Sequence, residues 1–269
     1  MEIHNKRIII TGAASGIGRA FLLQLLSFEP QTIIAADRDE PSLMELIRQL
    51  PPNMPRIVPF VGDLSQKATL DALFDFARVQ MGGADIFVAN AGFAYYESYP
   101  AQADWEHLRS IFELNVYAPL YTIQKMKELN PNSPHYTLIT ASAMAKTGIP
   151  GYAVYGATKA ALDRFLDAYR YEDRGMPTVG LVYPIATRTS FFRHSIADTT
   201  SQVPDTPWPS QTPERVAQAM LRGIRKNQRF IYPSLFFRIT RFPQQLFEWL
   251  MLPYQWYYAR QWRKWKAGR

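Results

Sequence analysis

The chain has 269 residues, of which 47% are hydrophobic, enough to bury the core of a single α/β domain. It has no cysteine, which excludes disulfides and cysteine-based sites, and its four histidines lack metal-ligand spacing, so we predict no metal site. The net charge of +7 is uneven: ten lysines and arginines but only one acid lie between Arg225 and Arg269. The basicity therefore belongs to the C-terminal segment.

The N-terminal residues show no targeting signal. The first apolar run, Ile8-Ile9-Ile10, is too short for a signal peptide and continues into a glycine-rich turn. No stretch reaches the roughly 18 uncharged apolar residues expected of a spanning helix. We therefore predict a cytoplasmic protein.

Strand-length apolar runs alternate with longer amphipathic segments. The predicted strands are Arg7–Thr11, Thr32–Ala36, Arg56–Val61, Asp85–Ala89, Tyr136–Ala141 and Thr178–Tyr183. The predicted helices are Gly16–Phe28, Pro41–Leu50, Lys67–Met81, Trp105–Leu129 and Ala153–Arg174. This alternation is typical of βαβ units, so we predict a doubly wound, parallel α/β sheet of Rossmann-like type.

The segment 185–211 interrupts this pattern. It is rich in Pro, Ser and Thr, and a loop of this length without regular structure is usually a lid or a disordered segment, of which we predict a substrate lid. Thr212-Pro213-Glu214 then predicts a helix start. We assign residues 1–233 to one Rossmann-like domain and 234–269 to a C-terminal extension.

A glycine-rich turn follows the first predicted strand and opens the first helix. Its sequence is Thr11-Gly12-Ala13-Ala14-Ser15-Gly16-Ile17-Gly18. Glycines allow a tight turn and close approach to a pyrophosphate, and the helix N-terminus offers unpaired N–H groups. The alternative is a strand-to-helix turn that binds nothing.

Asp37-Arg38 ends the second predicted strand, about 20 residues beyond the glycine turn. A carboxylate here accepts hydrogen bonds from ribose hydroxyls and repels a 2′-phosphate, so Asp37 favours NAD. Arg38 keeps NADP as an alternative, because a guanidinium pairs with that phosphate.

Tyr155 and Lys159 lie four residues apart at the start of a long predicted helix, hence on one face. A free tyrosine has a pKa of about 10, too high for efficient proton exchange near neutrality. A nearby cation lowers that pKa, so the pair predicts an acid/base group for carbonyl reduction or alcohol oxidation. Many helices carry such a pair by chance.

The joint pattern resembles the short-chain dehydrogenase/reductase family over roughly Lys6 to Pro233. It comprises, in order, the glycine turn, Asp37, Asp63, Asn90-Ala91-Gly92, Asn115, Ser142, Tyr155 and Lys159. The cofactor-binding residues that the turn and this resemblance imply are Gly12, Ser15, Gly16, Ile17, Gly18, Asp37, Arg38, Asp63, Leu64, Asn90, Ala91, Gly92, Tyr155, Lys159, Pro184 and Thr189.

The resemblance also implies catalytic roles. Ser142 would polarise the substrate carbonyl, and Tyr155 would be the acid/base. Lys159 would bind the nicotinamide ribose and lower the tyrosine pKa, while Asn115 would hold a water near the lysine. The family usually has Pro-Gly where this chain has Pro184-Ile185, which leaves the shape of that loop open.

The last 36 residues are rich in aromatic side chains interleaved with cations. Tryptophan and tyrosine favour a membrane interface and cations an anionic headgroup layer, so we predict a peripheral membrane contact through 235–269. The alternatives are a roof over the substrate pocket or an oligomer contact. Nucleic acid is not expected, although basic aromatic surfaces also bind single strands.

We therefore expect hydride transfer between NAD, or NADP, and a lipophilic alcohol or ketone. The rival from another class is a nucleotide-binding scaffold whose tail recruits a membrane or partner, with little catalysis. Small residues in the Tyr155 helix allow either the close approach of a partner helix or tight packing on the sheet, and the resemblance implies a homodimer or homotetramer. They are Gly156, Ala157, Ala160 and Ala161.

Overall fold

The computed structural model describes residues 1–51, 54–97, 99, 102, 104–172, 178–191, 196–197, 208–240 and 260. The strands are β1 (Arg7–Thr11), β2 (Thr32–Asp37), β3 (Arg56–Val61), β4 (Ile86–Ala89), β5 (Tyr95–Tyr96), β6 (Tyr136–Thr140), β7 (Val179–Val182), β8 (Ile196–Ala197) and β9 (Phe230–Ile231). The six strands predicted from sequence all form, with ends shifted by at most one residue.

The main sheet has seven parallel strands in the order β3-β2-β1-β4-β6-β7-β9. Chain order reverses between β1 and β4, which pair from Ile8 with Ile86 to Ile10 with Val88. A reversal of this kind leaves a crevice at the carboxyl ends of the strands, where doubly wound folds bind ligands. The predicted α/β fold is confirmed.

Helices cover both faces of the sheet. They are α1 (Gly16–Leu25), α2 (Glu40–Arg48), α3 (Lys67–Met81), α4 (Trp105–Phe112), α5 (Ala118–Leu129), α6 (Ala153–Tyr169), α7 (Pro213–Arg225) and α8 (Leu235–Thr240). Side chains alternate along β1, so that Ile8 and Ile10 pack beneath α1, α2 and α7. Ile9 packs on the other face, beneath α3, α5 and α6.

The predicted helix Trp105–Leu129 forms between the predicted ends and without a gap, but it is not α-helical throughout. A π-helical turn, Glu113–Tyr117, separates α4 from α5. Pro119 lies in the first turn of α5 and has no N–H to donate to the carbonyl of Asn115, so the regular hydrogen-bond ladder is interrupted there. The interruption matters because it places the buried Asn115 side chain against residue 93.

The Tyr155 helix also ends earlier than predicted, since α6 stops at Tyr169 and residues 173–174 lie outside the described part. The first helix ends at Leu25 and continues as a 3₁₀ turn, Leu26–Phe28. Thr212 caps α7 by accepting a hydrogen bond from the Arg215 amide, as the sequence predicted.

The predicted lid segment contains regular structure after all. Its strand β8 pairs in parallel with β5, Tyr95 with Ile196. A bridge between Thr187 and Gln211 closes the base of the segment. The sequence did not predict these strands, because two residues are too few to show a periodic pattern. Their backbone hydrogen bonds pair polar groups that would bind water in an irregular loop.

Most of the predicted membrane contact, residues 241–259 and 261–269, lies outside the described residues. Its first turn and a half forms α8, where Phe237 is buried and Leu235, Phe236 and Ile239 are about 60% exposed. Within the described part of the chain, none of the helices has the length and apolarity needed to span a membrane.

Candidate active site

The predicted site residues gather along one edge of the sheet. The glycine turn follows β1, Asp37 ends β2, Asn90 follows β4 and Ser142 follows β6. Because the strands are parallel, their carboxyl ends share that edge. Segments separated by more than 100 residues in the chain are therefore neighbours in the crevice.

The glycine turn has no space for a side chain at Gly12 or Gly18. Gly12 has φ +64°, and a Cβ there would lie 3.0 Å from the Ala91 Cα. A Cβ on Gly18 would lie 1.9 Å from the Gly12 carbonyl oxygen, which no side chain tolerates. The Ser15 side chain is exposed and makes no capping hydrogen bond to α1. The tight turn and the unused α1 N-terminus fit a pyrophosphate.

Asn90 ties three strands together behind the glycine turn. Its amide nitrogen donates to the Thr11 and Gly12 carbonyls at 3.2 and 3.3 Å, and its carbonyl oxygen accepts from the Thr140 hydroxyl at 3.1 Å. The Thr11 hydroxyl accepts from the backbone amides of Asn90 and Ala91, both at 3.0 Å. These bonds fix the floor of the crevice between β1, β4 and β6.

Asp37 lies beside the glycine turn and shapes it. One carboxylate oxygen accepts from the Ala14 amide at 2.9 Å and the other from the Asp39 amide at 3.1 Å. A carboxylate has about four acceptor positions, so two stay available for ribose hydroxyls. Arg38 is exposed.

Asp63 is exposed beyond the end of β3, where it accepts from the Ser65 amide at 3.0 Å, and Leu64 beside it is buried. The Gly62 amide donates to the Asp37 carbonyl, which brings the ends of β2 and β3 together. Asp37 and Asp63, two of the predicted cofactor-binding residues, thus share one end of the crevice.

Asn115 is fully buried in the π-helical turn. Its side chain donates to the Phe93 carbonyl at 2.9 Å and to the Thr158 hydroxyl at 3.2 Å, and it accepts from the Phe93 amide at 3.2 Å. A Cβ on Gly92 would lie 2.9 Å from the Asn115 oxygen and 3.6 Å from the Lys159 ammonium. Gly92 therefore leaves the space in which these two side chains approach each other.

Tyr155, Lys159 and Ser142 lie together at the base of the crevice, and all three are less than 10% exposed. The Lys159 ammonium donates to the Thr140 carbonyl at 2.9 Å and lies 5.6 Å from the centre of the Tyr155 ring. The Ser142 hydroxyl accepts from the Met144 amide at 3.1 Å, which leaves its own proton available to another acceptor.

Burial has the largest effect on the pKa values of Tyr155 and Lys159. It raises the pKa of Tyr155 above its ordinary value, and a hydrogen bond with Ser142 opposes that rise. It also lowers the pKa of Lys159 to about 8. The expectation that the lysine brings the tyrosine pKa below 10 does not hold for the protein alone, because losing water costs the phenolate more than its surroundings return.

The loop after β7 borders the same crevice. The Pro184 carbonyl accepts from the Ala143 amide at 2.8 Å, joining the loop to the Ser142 turn. Ile185, which stands where the family usually has glycine, packs its side chain against the sheet core. Thr189 contacts the glycine turn: a Cβ on Gly16 would meet its methyl group at 3.2 Å. The extra side chain is thus accommodated within the loop.

Comparison with known proteins shows which family the chain belongs to. The family model for short chain dehydrogenases matches residues 6–200. The chain belongs to the short-chain dehydrogenase family. An uncharacterized oxidoreductase of Listeria monocytogenes is 28% identical over 233 residues, which are 83% of this chain and 92% of the relative. The prediction of an oxidoreductase of this family is confirmed.

Two solved structures show how far the fold extends. A Burkholderia phymatum short chain dehydrogenase/reductase in complex with NAD matches with a TM-score of 0.78 and 21% identity, covering 89% of this chain and 92% of its own. A Sphingobium yanoikuyae short-chain dehydrogenase in complex with NADPH matches with a TM-score of 0.73 and 21% identity, covering 90% and 95%. Both likenesses concern the fold.

Sequence reasoning missed the aromatic surroundings of Tyr155 in this short-chain dehydrogenase. Tyr152 and Phe191 lie 6.3 and 5.8 Å from its ring, and Tyr96 lies 5.1 Å from Tyr152, all between ring centres. We call Tyr96, Tyr152 and Phe191 the aromatic wall. These residues come from β5, the residue before α6 and the lid segment, so nothing in their spacing signals a common surface.

Proposed function

We propose that the chain is a nicotinamide-dependent dehydrogenase or reductase that interconverts a hydrophobic alcohol and the matching carbonyl compound. The observation that carries this proposal is the convergence of Ser142, Tyr155 and Lys159 beside the glycine turn. Membership of the short-chain dehydrogenase family supports the reaction class.

NAD is the preferred cofactor in this proposal. The Asp37 carboxylate at the end of β2 would accept from ribose hydroxyls and repel a 2′-phosphate. The exposed Arg38 makes NADP the alternative. That one similar structure holds NAD and another NADPH supports a nicotinamide without choosing between them.

Three side chains divide the proton chemistry. A bound nicotinamide supplies the hydride or accepts it. The Tyr155 hydroxyl would protonate the substrate oxygen in reduction, and the Tyr155 phenolate would take the proton back in oxidation, while Ser142 would donate a hydrogen bond to that oxygen. Burial lowers the pKa of Lys159 to about 8, so below that pH the lysine would bring a positive charge within 5.6 Å of the Tyr155 ring centre, and a nearby cation favours the phenolate.

The aromatic wall supports a hydrophobic substrate. Tyr152 is buried, and its ring and that of Phe191 lie 6.3 and 5.8 Å from the ring of Tyr155, measured between ring centres. A carbonyl that reaches the Tyr155 hydroxyl would carry its substituents along these rings, where apolar groups leave water favourably.

A nucleotide-binding scaffold with little catalysis is the alternative from another class. A scaffold requires the glycine turn and Asp37 but gains nothing from a lysine buried beside a tyrosine. Burying that lysine is costly, as its lowered pKa shows. The dehydrogenase is therefore the better supported function.

The C-terminal segment adds a second proposal, a contact with a membrane surface. Leu235, Phe236 and Ile239 are exposed on α8, immediately before the basic aromatic residues. Apolar side chains of this kind insert at the headgroup boundary while cations attract anionic lipid. We further propose a homodimer or homotetramer that packs through the small residues of α6, where Ala157 is exposed.

Replacing Tyr155 by phenylalanine tests the proposed reaction. Hydrophobic alcohols and ketones are first screened by the absorbance of reduced cofactor. On a substrate so found, we expect Tyr155→Phe to lower kcat by about 10²–10⁴-fold, because only the proton-transferring hydroxyl is removed. Cofactor affinity should stay within about threefold.

Tyr169→Phe is the matched control, since Tyr169 is a buried tyrosine at the far end of the same helix. Its turnover should match the wild type. A Tyr155→Phe enzyme that retains wild-type turnover would contradict the assignment, and a wild type that binds cofactor but turns over none of the screened compounds would favour the scaffold.

A further inference from the structure

A buried ion pair joins α6 to the turn that begins at Ser142. Asp163 is 2% exposed, and one of its carboxylate oxygens accepts from the Lys146 ammonium at 2.7 Å. The other accepts from the Tyr183 hydroxyl at 2.7 Å, while Arg164 lies 3.5 Å away at the surface. The proposed reaction uses none of these side chains directly.

The partners of Asp163 come from the segments that build the site. Tyr155, Lys159 and Asp163 are spaced four residues apart and so share one face of α6. Lys146 ends the short 3₁₀ turn, Ala143–Ala145, that Ser142 caps. Asp163 therefore connects the helix that carries Tyr155 with the turn that carries Ser142.

Tyr183 extends the connection to the loop after β7. It is fully buried and directly precedes Pro184. The Pro184 carbonyl in turn accepts from the Ala143 amide, inside the Ser142 turn. One carboxylate thus fixes three segments relative to one another, each of which contributes to the crevice.

Stability alone is a poor reason for such a cluster. Taking a lysine and an aspartate out of water costs about as much as their attraction returns, and apolar residues of the same volume are often as stable. Directed hydrogen bonds, however, define a geometry that apolar contacts leave loose. Catalysis is sensitive to that geometry, because a displacement of about 1 Å can lower a rate roughly 10²-fold.

We propose that Asp163 is a positioning residue that, through Lys146 and Tyr183, holds Ser142 in place relative to Tyr155. This inference rests on the proposed dehydrogenase function. It predicts that loss of the Asp163 charge disturbs the Ser142 turn and the chemical step, while the glycine turn, which Asp163 does not touch, keeps its affinity for cofactor.

Asp163→Asn is the primary test, since it keeps the shape and an acceptor for Tyr183 but removes the partner of the Lys146 charge. We expect kcat to fall about 10–100-fold, with the dissociation constant of NADH, measured by fluorescence, within threefold of the wild type. We also expect amide hydrogen exchange in the peptide 141–147 to accelerate at least tenfold.

The chain offers a matched control in Asp71. Its carboxylate likewise accepts from a tyrosine hydroxyl, Tyr121 at 2.7 Å, and from a lysine, Lys125 at 3.2 Å, but it joins α3 to α5 away from Ser142. Asp71→Asn should leave kcat and exchange in 141–147 unchanged.

A triple variant, Lys146→Met with Asp163→Leu and Tyr183→Phe, separates positioning from folding, because it removes the ion pair together with the Tyr183 hydroxyl that donates to Asp163. It should recover the thermal stability lost in Asp163→Asn but not the turnover. Recovery of both would overturn the inference, as would unchanged exchange in 141–147 in Asp163→Asn. The exchange measurement needs no substrate, so it decides the inference even if the wild type proves inactive and the proposed dehydrogenase function fails.

Discussion

At the scale of single residues, the cofactor choice depends on Asp37. We expect wild-type protein to bind NAD more tightly than NADP, because a carboxylate repels the 2′-phosphate. Asp37→Asn keeps an oxygen to accept from the Ala14 amide but removes the charge, so it should reduce the ratio of NAD affinity to NADP affinity about tenfold. Calorimetric titration of both cofactors measures this. If the wild type binds NADP more tightly, Arg38 rather than Asp37 determines the cofactor preference.

The lowered pKa of Lys159 leads to a prediction about stability and pH. Its folded pKa of about 8 lies below the ordinary value of 10.5, so above pH 8 the folded chain releases a proton that the unfolded chain keeps. The unfolded state then binds more protons, and stability rises with pH. Relative to Lys159→Met, the wild type should gain up to about 3 kcal/mol between pH 8 and 10.5.

Urea unfolding of both proteins without cofactor, at several pH values, tests that gain. Taking the difference between the two cancels the titrating groups that do not interact with Lys159. Lys226→Met, at an exposed lysine, is the control and should show no such trend. A constant difference between wild type and Lys159→Met across this range would mean that the lysine is not buried in solution.

At the scale of elements, the glycine turn gives the sharpest expectation. A Cβ on Gly18 would collide with the Gly12 carbonyl, so Gly18→Ala must open the turn. We expect a loss of about 1–3 kcal/mol in stability and at least a 100-fold weaker NADH affinity. Gly148→Ala is the control, because a Cβ there meets nothing within 4 Å. Thermal unfolding measures the stability of both variants, and fluorescence titration measures their NADH affinity. Wild-type NADH affinity in Gly18→Ala would contradict this expectation.

The same scale shows what the sequence could predict. The long strands and the order of motifs were readable because apolar runs and turn residues are local signals. The π-helical turn between α4 and α5 was readable in principle, since Pro119 interrupts the regular helical pattern. The aromatic wall and the Lys146–Asp163 pair were not, because their members meet only once the sheet has brought distant segments together.

At the scale of the whole molecule, the question is whether the C-terminal segment, residues 235–269, binds a membrane surface. If it is an interfacial anchor, the protein should sediment with vesicles of anionic lipid, more weakly at high salt because the Debye length is only about 8 Å at physiological ionic strength. Some binding should survive in salt, since burial of apolar side chains does not depend on charge.

The truncation for this test should follow Thr240 rather than precede Leu235. Phe237 is buried, with its ring centre 6.1 Å from that of Tyr232, so removing α8 would damage the fold as well as the surface. Chains ending at Thr240 should lose most vesicle binding and keep NADH affinity. Equal sedimentation of the two forms would end the anchor hypothesis, and a raised KM alone would indicate a pocket roof.

The reversal of strand order between β1 and β4 has a consequence for biosynthesis. The glycine turn leaves the ribosome first, but its floor residue Asn90 follows 79 positions after Thr11. At about 5–20 residues per second, that interval is roughly 4–16 s. During it, the apolar strand Ile8 to Ile10 lacks its central neighbour, and unpaired strand edges promote association. Nucleotide can bind and stabilise only chains in which β4 has already paired with β1. We therefore expect slower growth of the expressing cells, or a co-expressed chaperone, to raise the yield of folded protein more than added cofactor does.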